Sequence, residues 1–187
     1  TFVRNKERGL TEEGLSSRMG QMKTAAGECL AYAQMEGPRV YAVDLSPDAA
    51  AISQLNVQRC NLTDDVQVLR GSWYEPLSNL EGRLGGIVSN PPYIPTGVIP
   101  TLQAEVQGHE PCLALDGGLG DALDSLTPIV LGAVEMLARG GFLALETGGQ
   151  GQEKHIVAML TATGAFERIS IAEDFAGVPR FVTASRS

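Results

Sequence analysis

The stretch from Ile87 to Pro95, Ile-Val-Ser-Asn-Pro-Pro-Tyr-Ile-Pro, decides how the rest of the chain is interpreted. An apolar run that favours a β-strand ends at Asn90, because Pro91 and Pro92 have fixed φ angles and no backbone N–H groups. The Asn90 amide is therefore held at the end of a strand, and the flat aromatic ring of Tyr93 follows it. A side-chain amide can both accept from and donate to another amide or an amino-purine edge. The stretch predicts a site for a planar nitrogen nucleophile, and a proline-rich turn is the simpler alternative.

Composition bounds the class of protein. The 187 residues are enough for one domain with a sizeable core, and 43% hydrophobic with 19% charged residues is ordinary for a globular chain. The net charge of −8 disfavours a partner bound mainly through nucleic-acid phosphates, although it is compatible with a basic protein. Cys29, Cys60 and Cys112 are scattered, which favours reduced thiols over a disulfide framework or a zinc site.

The sequence contains no membrane-length apolar run and no apolar signal region, so we expect no membrane association. The first residue is threonine and not methionine, so we expect the chain to be a piece of a longer one.

The order of the predicted elements indicates the fold class. A buried strand from Arg39 ends at the acid Asp44, and Ser46 then caps a helix that has Pro47 at its first position and runs to about Cys60. Further strands are predicted at 66–70, 84–89, 142–146, 169–171 and 181–183, with the last two paired as an antiparallel edge ribbon, and further helices at 25–35, 123–139 and 152–163.

Alternating strands and helices predict a mostly parallel, doubly wound α/β sheet, whose ligands bind at the carboxyl ends of the strands. Asp44, Trp73 and Asn90 each lie at or just past a predicted strand end, so we expect them to line one crevice. Tyr93 to Gly120 is a long connection rich in proline and glycine, of the kind that is usually functional or mobile.

The central stretch also resembles a known family. Asn90-Pro91-Pro92-Tyr93 is similar to the (D/N)PP(Y/F) motif of methyltransferases that modify amide or exocyclic amino nitrogens. The run from Val88 to Pro95 resembles one branch of these enzymes, the HemK/PrmC family of protein-glutamine methyltransferases acting on translation release factors. So do Glu105-Val106, His109-Glu110-Pro111, 113–118 and 120–123. The resemblance covers about residues 39–186, so it implies a Rossmann-like class I methyltransferase domain at 39–187 after a poorly matching segment, 1–38.

The resemblance implies a role for each site residue. The acid at Asp44 would hold the ribose of S-adenosylmethionine, where the alternative is a helix-cap acid. Trp73 would stack on or flank adenine, where the alternative is core filling, and Ser72 stands where the family often has an acid. Asn90 would be the catalytic residue that orients the substrate amide and would also contact the cofactor, with Pro91, Pro92 and Tyr93 as the rest of the substrate site.

The chain departs from the family upstream of Arg39. There the family has a strand ending in an acid and three closely spaced glycines that cradle the cofactor, and only Gly27 falls near such a position. We therefore expect the first strand and the glycine-rich loop to be degenerate or missing. Two interpretations stay open: a truncated or misspliced copy with impaired cofactor binding, or a looser substitute loop over Lys23–Gly27.

The leading functional hypothesis is S-adenosylmethionine-dependent methylation of the glutamine side chain in the Gly-Gly-Gln motif of peptide chain release factors. The alternatives are a DNA or RNA adenine methyltransferase and a non-catalytic domain with impaired cofactor binding. Bacterial cytoplasm, mitochondrion and plastid are all compatible with the leading role. Glu105, His109 and Glu110 could form a general-base or metal fragment or a solvated loop face, and Gly148-Gly149-Gln150 is most simply a turn.

Overall fold

The computed structural model describes residues 29–33 and 40–187, which form an α/β fold around a mixed sheet. The strands are β1 (Cys29–Ala33), β2 (Val40–Asp44), β3 (Val66–Arg70), β4 (Leu84–Ser89), β5 (Ile94–Pro95), β6 (Asp116–Gly118), β7 (Leu137–Glu146), β8 (Phe166–Glu173) and β9 (Pro179–Arg186). The α-helices are α1 (Pro47–Arg59), α2 (Ala104–His109), α3 (Cys112–Leu115), α4 (Leu126–Met136) and α5 (Gln152–Thr163), and 3-10 helices cover Glu75–Leu80 and Ile99–Thr101.

Within the described residues, seven strands form one sheet in the order β3-β2-β1-β4-β7-β9-β8. β2 pairs in parallel with β3 and β4 in parallel with β7, whereas β9 is antiparallel to both of its neighbours. Five strands therefore run one way, with β1 and β9 reversed. The expected α/β sheet with an antiparallel ribbon at one edge is confirmed.

Helices cover both faces of the sheet, as in a doubly wound fold. Ala42 and Val43 are adjacent in β2 and therefore point to opposite faces. Ala42 packs with Val57 of α1, while Val43 belongs to the main core, which α4 and α5 cover. The fully buried side chains of this main core include Leu84, Ile87, Leu126, Ile129, Leu143, Leu145, Ile156 and Leu160.

Local signals set the ends of two helices as predicted. The Ser46 hydroxyl accepts a hydrogen bond from the Ala49 N–H at 3.3 Å, and Pro47 fills the first helical position of α1, where no N–H is needed. α5 ends at Gly164, which has a φ of 64° and so takes the left-handed conformation that ends helices.

The prediction of a helix over Ala25–Met35 is wrong for the part that the structure describes. Cys29–Ala33 forms β1, which lies between β2 and β4 and is antiparallel to both. Ladder hydrogen bonds on both sides outweigh the helical preference of its alanines, because tertiary pairing overrides a weak local propensity. β1 thus lies where the resembled family would have its first strand, but it runs in the opposite direction to β2 and β4.

The prediction of a helix over Leu123–Arg139 is also wrong at both ends. α4 begins only at Leu126, since Pro128 must lie in the first turn, where its missing N–H costs nothing. It ends at Met136 because Leu137 pairs with Leu84 and begins β7. The register between β4 and β7 then shifts, so that Gly140 and Gly141 lie inside β7 and do not close a helix.

The connection from Tyr93 to Gly120 contains short elements of its own. β5 and β6 pair in parallel near its two ends, which closes the connection on itself. The Asp116 carboxylate accepts hydrogen bonds from the Thr96 hydroxyl at 2.7 Å and from the Gly118 N–H at 2.9 Å. These bonds lower the pKa of Asp116, so it stays charged and holds this end in place.

We predict that Gly141→Ala destabilises the fold. A Cβ at Gly141 would lie 2.8 Å from the Ala138 carbonyl oxygen and 3.0 Å from that of Leu84, and backbone atoms cannot move aside like a side chain. The expected loss is about 1–3 kcal/mol of unfolding free energy by urea denaturation. Gly97→Ala is the control, because its Cβ would meet nothing within 4 Å. Equal stability of the two variants would contradict the described packing of β7 against β4.

Candidate active site

The register of the sheet brings two predicted site residues to one edge. Cys29, at the start of β1, pairs with Val43 on one side and with Ser89 on the other. Asp44 and Asn90 each follow one of these partners, so both lie at the same edge with a single strand between them. Two strand spacings separate their backbones by about 10 Å. That span is suited to a small ligand lying across the end of β1.

Asp44 is a buried carboxyl with one oxygen unused. Its side chain is 7% exposed, and Oδ1 accepts a hydrogen bond from the Ser46 N–H at 2.8 Å. Oδ2 is buried and, among the residues that the structure describes, has no hydrogen-bond partner. Burial raises the pKa of Asp44, although the bond from Ser46 acts in the opposite direction. A buried acceptor without a partner is costly, so Asp44 is suited to accept a hydroxyl donor from a ligand.

Asn90 presents a free amide to solvent. It is exposed directly after β4, and Pro91 behind it is buried. Over the described part of the chain, the Asn90 side chain makes no hydrogen bond, so its acceptor and its donors are available to a substrate. The buried proline makes the corner rigid, as the sequence indicates.

Trp73 is held by its neighbours in an uncommon conformation. Its φ is 45°, in the left-handed region that bulky residues rarely adopt and that is found preferentially at functional sites. On one side, the Ser72 N–H donates to the Glu75 carboxylate at 3.3 Å, and on the other, the buried Tyr74 hydroxyl donates to the Ile129 carbonyl at 2.9 Å. Trp73 itself is half-buried and packs partly against the main core. Its expected contact with adenine stays a prediction.

Tyr93 is packed closely against two glycines. A Cβ at Gly117 would lie 2.8 Å from the Tyr93 Cα, and one at Gly148 would lie 3.1 Å from its ring. The Tyr93 hydroxyl donates to Oε1 of Glu146 at 3.3 Å. Burial and the Glu146 charge raise the pKa of Tyr93, against the opposing charge of Arg180. Tyr93 therefore stays neutral and forms a fixed wall beside Asn90.

Sequence reasoning missed Gln152, whose side chain joins three segments next to the site. It is 8% exposed, and its Nε2 donates to the Tyr93 and Asp121 carbonyls, each at 2.9 Å. Its Oε1 accepts from the Gly148 N–H at 2.8 Å. A glutamine at the predicted start of a helix gives no local sign of partners 31 and 59 residues away.

The remaining predicted site residues are exposed on α2, form a turn or lie outside the described residues. Glu105 and His109 are exposed on α2, and the described residues contain no group of three or more His, Cys, Asp or Glu that could hold a metal. Gly148–Gln150 forms a turn before α5, as predicted, with Gln150 exposed. Gly27 and the Lys23–Gly27 stretch lie outside the residues that the structure describes.

Cys60 and Cys112 are free and exposed. No helix in the described residues has the length and apolar character to cross a bilayer.

The fold is that of the class I methyltransferases. A methyltransferase from Pyrococcus furiosus superposes with a TM-score of 0.53 at 15% identity, covering 78% of this chain and 61% of that one. The N-terminal domain of human METTL16, solved in complex with SAH, gives a TM-score of 0.52 at 15% identity, covering 78% of this chain and 51% of its own. The expected Rossmann-like methyltransferase fold is confirmed.

Sequence comparison finds relatives that share one name. The release factor glutamine methyltransferase of Thermosynechococcus vestitus is 46% identical over 145 residues, which are 78% of this chain and 49% of that protein. The enzyme of the same name from Synechocystis sp. is 43% identical over 145 residues, 78% of this chain and 48% of its own. The suspected resemblance is confirmed: the chain is a relative of the release factor glutamine methyltransferases. It spans about half the length of these curated relatives, and no family model matches it.

We predict that Asp44→Asn stabilises the ligand-free protein at neutral pH. The folded state raises the Asp44 pKa above its ordinary 3.8, so this carboxyl binds its proton more tightly when folded than when unfolded. Its contribution to stability therefore falls as pH rises from 3.8 through the raised pKa and stays low above it. Asparagine keeps an acceptor for the Ser46 N–H and removes the charge.

Thermal melting between pH 3.5 and 8 checks this prediction. The gain should be present at neutral pH and disappear towards the acid end. Asp64→Asn, at an exposed position, is the matched control and should shift the midpoint little. A lower midpoint for Asp44→Asn at neutral pH would show that the carboxylate has a partner in the folded protein.

Proposed function

We propose that this chain transfers a methyl group from S-adenosylmethionine to a glutamine side-chain amide of a peptide chain release factor, at the Gly-Gly-Gln motif. The observation that carries the proposal is the exposed Asn90 amide just past the end of β4, two strands away from the buried Oδ2 of Asp44, neither of which has a hydrogen-bond partner among the described residues. The names of the relatives support the substrate, and the SAH bound to a structural neighbour supports the methyl donor.

The residues present fit the proposed cofactor. A nucleoside ribose has two hydroxyls, and Oδ2 of Asp44 is a buried acceptor without a partner among the described residues, so a ribose hydroxyl that reaches it would satisfy it. Trp73, fixed beyond the end of β3, offers a half-buried aromatic face for a purine. When bound, the cofactor supplies an activated methyl group on a sulfonium sulfur. These protein groups bind and orient it, and they carry out no chemistry themselves.

Asn90 is the proposed catalytic residue, and its role is orientation. A glutamine amide nitrogen is a poor nucleophile because its lone pair is delocalised into the carbonyl. Hydrogen bonds from its two N–H groups to the Asn90 side-chain oxygen and the Pro91 carbonyl would fix the nitrogen and localise that pair. Orientation of this kind contributes up to about 7–11 kcal/mol in favourable systems. Tyr93, neutral and packed against glycines, would contact the glutamine side chain along one side of the site.

The two alternatives have less support. The acidic net charge of −8 disfavours a nucleic-acid substrate, and the curated relatives are named for a protein glutamine. A non-catalytic domain with impaired cofactor binding would leave the Asp44 oxygen, which has no partner among the described residues, unsatisfied, and a buried group of this kind reduces stability. The compartment, whether cytoplasm or organelle, follows that of the release factor that this chain modifies.

We predict that Asn90→Ala lowers kcat for transfer of labelled methyl to an unmethylated release factor by about 100-fold or more, because the amide nitrogen loses its orientation. Binding of S-adenosylmethionine, followed by calorimetry, should change by less than about threefold, since Asp44 and Trp73 remain in place to hold the nucleoside. Asn79→Ala, at an exposed position of a 3-10 helix, is the control and should keep parental activity.

Mass spectrometry of the Gly-Gly-Gln peptide locates the methyl group. Equal rates for Asn90→Ala and the parent chain would refute the assignment of Asn90. Transfer by the parent to an oligonucleotide instead of the release factor would favour the adenine alternative. Absence of cofactor binding by the parent would favour the non-catalytic one.

A further inference from the structure

We infer that Gln152 is a positioning residue that clamps the base of the 94–120 connection and thereby fixes the Asn90 corner for methyl transfer. This inference deepens the proposed function and rests on it where activity is concerned. The evidence is the set of hydrogen bonds that the Gln152 side chain makes.

The Gln152 side-chain amide makes hydrogen bonds with three other segments of the chain. One N–H donates to the Tyr93 carbonyl and one to the Asp121 carbonyl, each at 2.9 Å. The Ala122 carbonyl lies at a longer 3.5 Å, and the Gly148 N–H donates to Oε1 at 2.8 Å. At 8% exposure these bonds face little competition from water, so breaking one leaves a buried group unpaired.

Gln152 joins the two ends of one connection. The Tyr93 carbonyl lies just before the 94–120 connection, and the Asp121 carbonyl lies just after it. Holding both with one amide closes the connection at its base, in addition to the pairing of β5 with β6. Because α5 begins at Gln152 and is anchored in the core through Ile156, the clamp has a rigid support.

The hydrogen bond from Gln152 to the Tyr93 carbonyl is important because the two prolines before Tyr93 cannot donate backbone hydrogen bonds. Pro91 and Pro92 have no N–H groups, so this corner has few backbone donors of its own. The Tyr93 carbonyl bond to Gln152 and its hydroxyl bond to Glu146 therefore fix the residue at two points. A shift of Tyr93 would be passed through the stiff prolines to Asn90. Gln152 thus acts on the chemistry through other residues and touches no reacting atom.

The test is Gln152→Glu, which keeps the size of the side chain and the acceptor for Gly148 but removes both donors. Hydrogen exchange followed by mass spectrometry should show the 94–120 connection exchanging at least about tenfold faster, with β4 and β7 unchanged. In the methyltransfer assay, kcat/KM for the release factor should fall about 10- to 100-fold, while the Kd for S-adenosylmethionine stays within about twofold. Gln150→Glu, with the same added charge on the exposed turn nearby, is the control and should match the parent.

A pH profile separates positioning from loss of fold. The carboxyl introduced by Gln152→Glu can donate again to the Tyr93 carbonyl once it is protonated, so the activity deficit of this variant should narrow as pH falls. Gln152→Met, of similar length but without polar atoms that donate, should show the deficit at every pH. If both variants keep the parental exchange rates and the parental kcat/KM, the clamp is overturned. Cooperative unfolding of both variants would also overturn it, because Gln152 would then stabilise the whole fold and not only the 94–120 connection. If the parent transfers no methyl group, the proposed function fails, and hydrogen exchange alone decides on the clamp.

Discussion

Two consecutive prolines force β4 to end just before Asn90, and the rest of the site depends on this constraint. A chain that cannot donate hydrogen bonds at two successive residues cannot continue a sheet, so the amide is left exposed at a strand tip. The same lack of donors means that the corner must be held from outside. The protein does this through the Tyr93 carbonyl and hydroxyl, and through the close approach of Gly117 to the Tyr93 backbone and of Gly148 to its ring.

The site combines a buried acceptor, which is costly without a ligand, with an exposed amide that is open to a substrate. Asp44 keeps a buried oxygen without a partner in the described residues, and Asn90 keeps an exposed side chain with no hydrogen bond to them. Stability sacrificed at such positions is characteristic of binding sites, because a ligand that satisfies these groups recovers the loss. The sheet makes this combination possible, since β2 and β4 run in the same direction and end at one edge on either side of β1.

Sequence reasoning succeeded where the signal is local and failed where it is distant. Ser46 and Pro47 set the start of α1 through contacts within one turn. The strand before Asn90 ends because two prolines follow directly in the sequence. The strand at Cys29–Ala33 was missed because alanines favour a helix locally, and only pairing with β2 and β4 overrides this preference. Gln152 was missed for the same reason, since its partners are distant in the chain. The resemblance supplied the roles, which the residue types alone left open.

An NMR titration of the 15N-labelled chain with S-adenosylhomocysteine, the product form of the proposed donor, tests the shared site directly. We expect saturable shifts of the Trp73 indole N–H and of the backbone amides next to Asp44 and Asn90, with the far edge at β8 unmoved. Asp44→Asn should weaken the titration by about 10- to 100-fold, the value of a hydrogen bond to a charged group. No saturable shift up to millimolar ligand, or shifts away from the strand tips of β2 and β4, would contradict the central claim of a shared site.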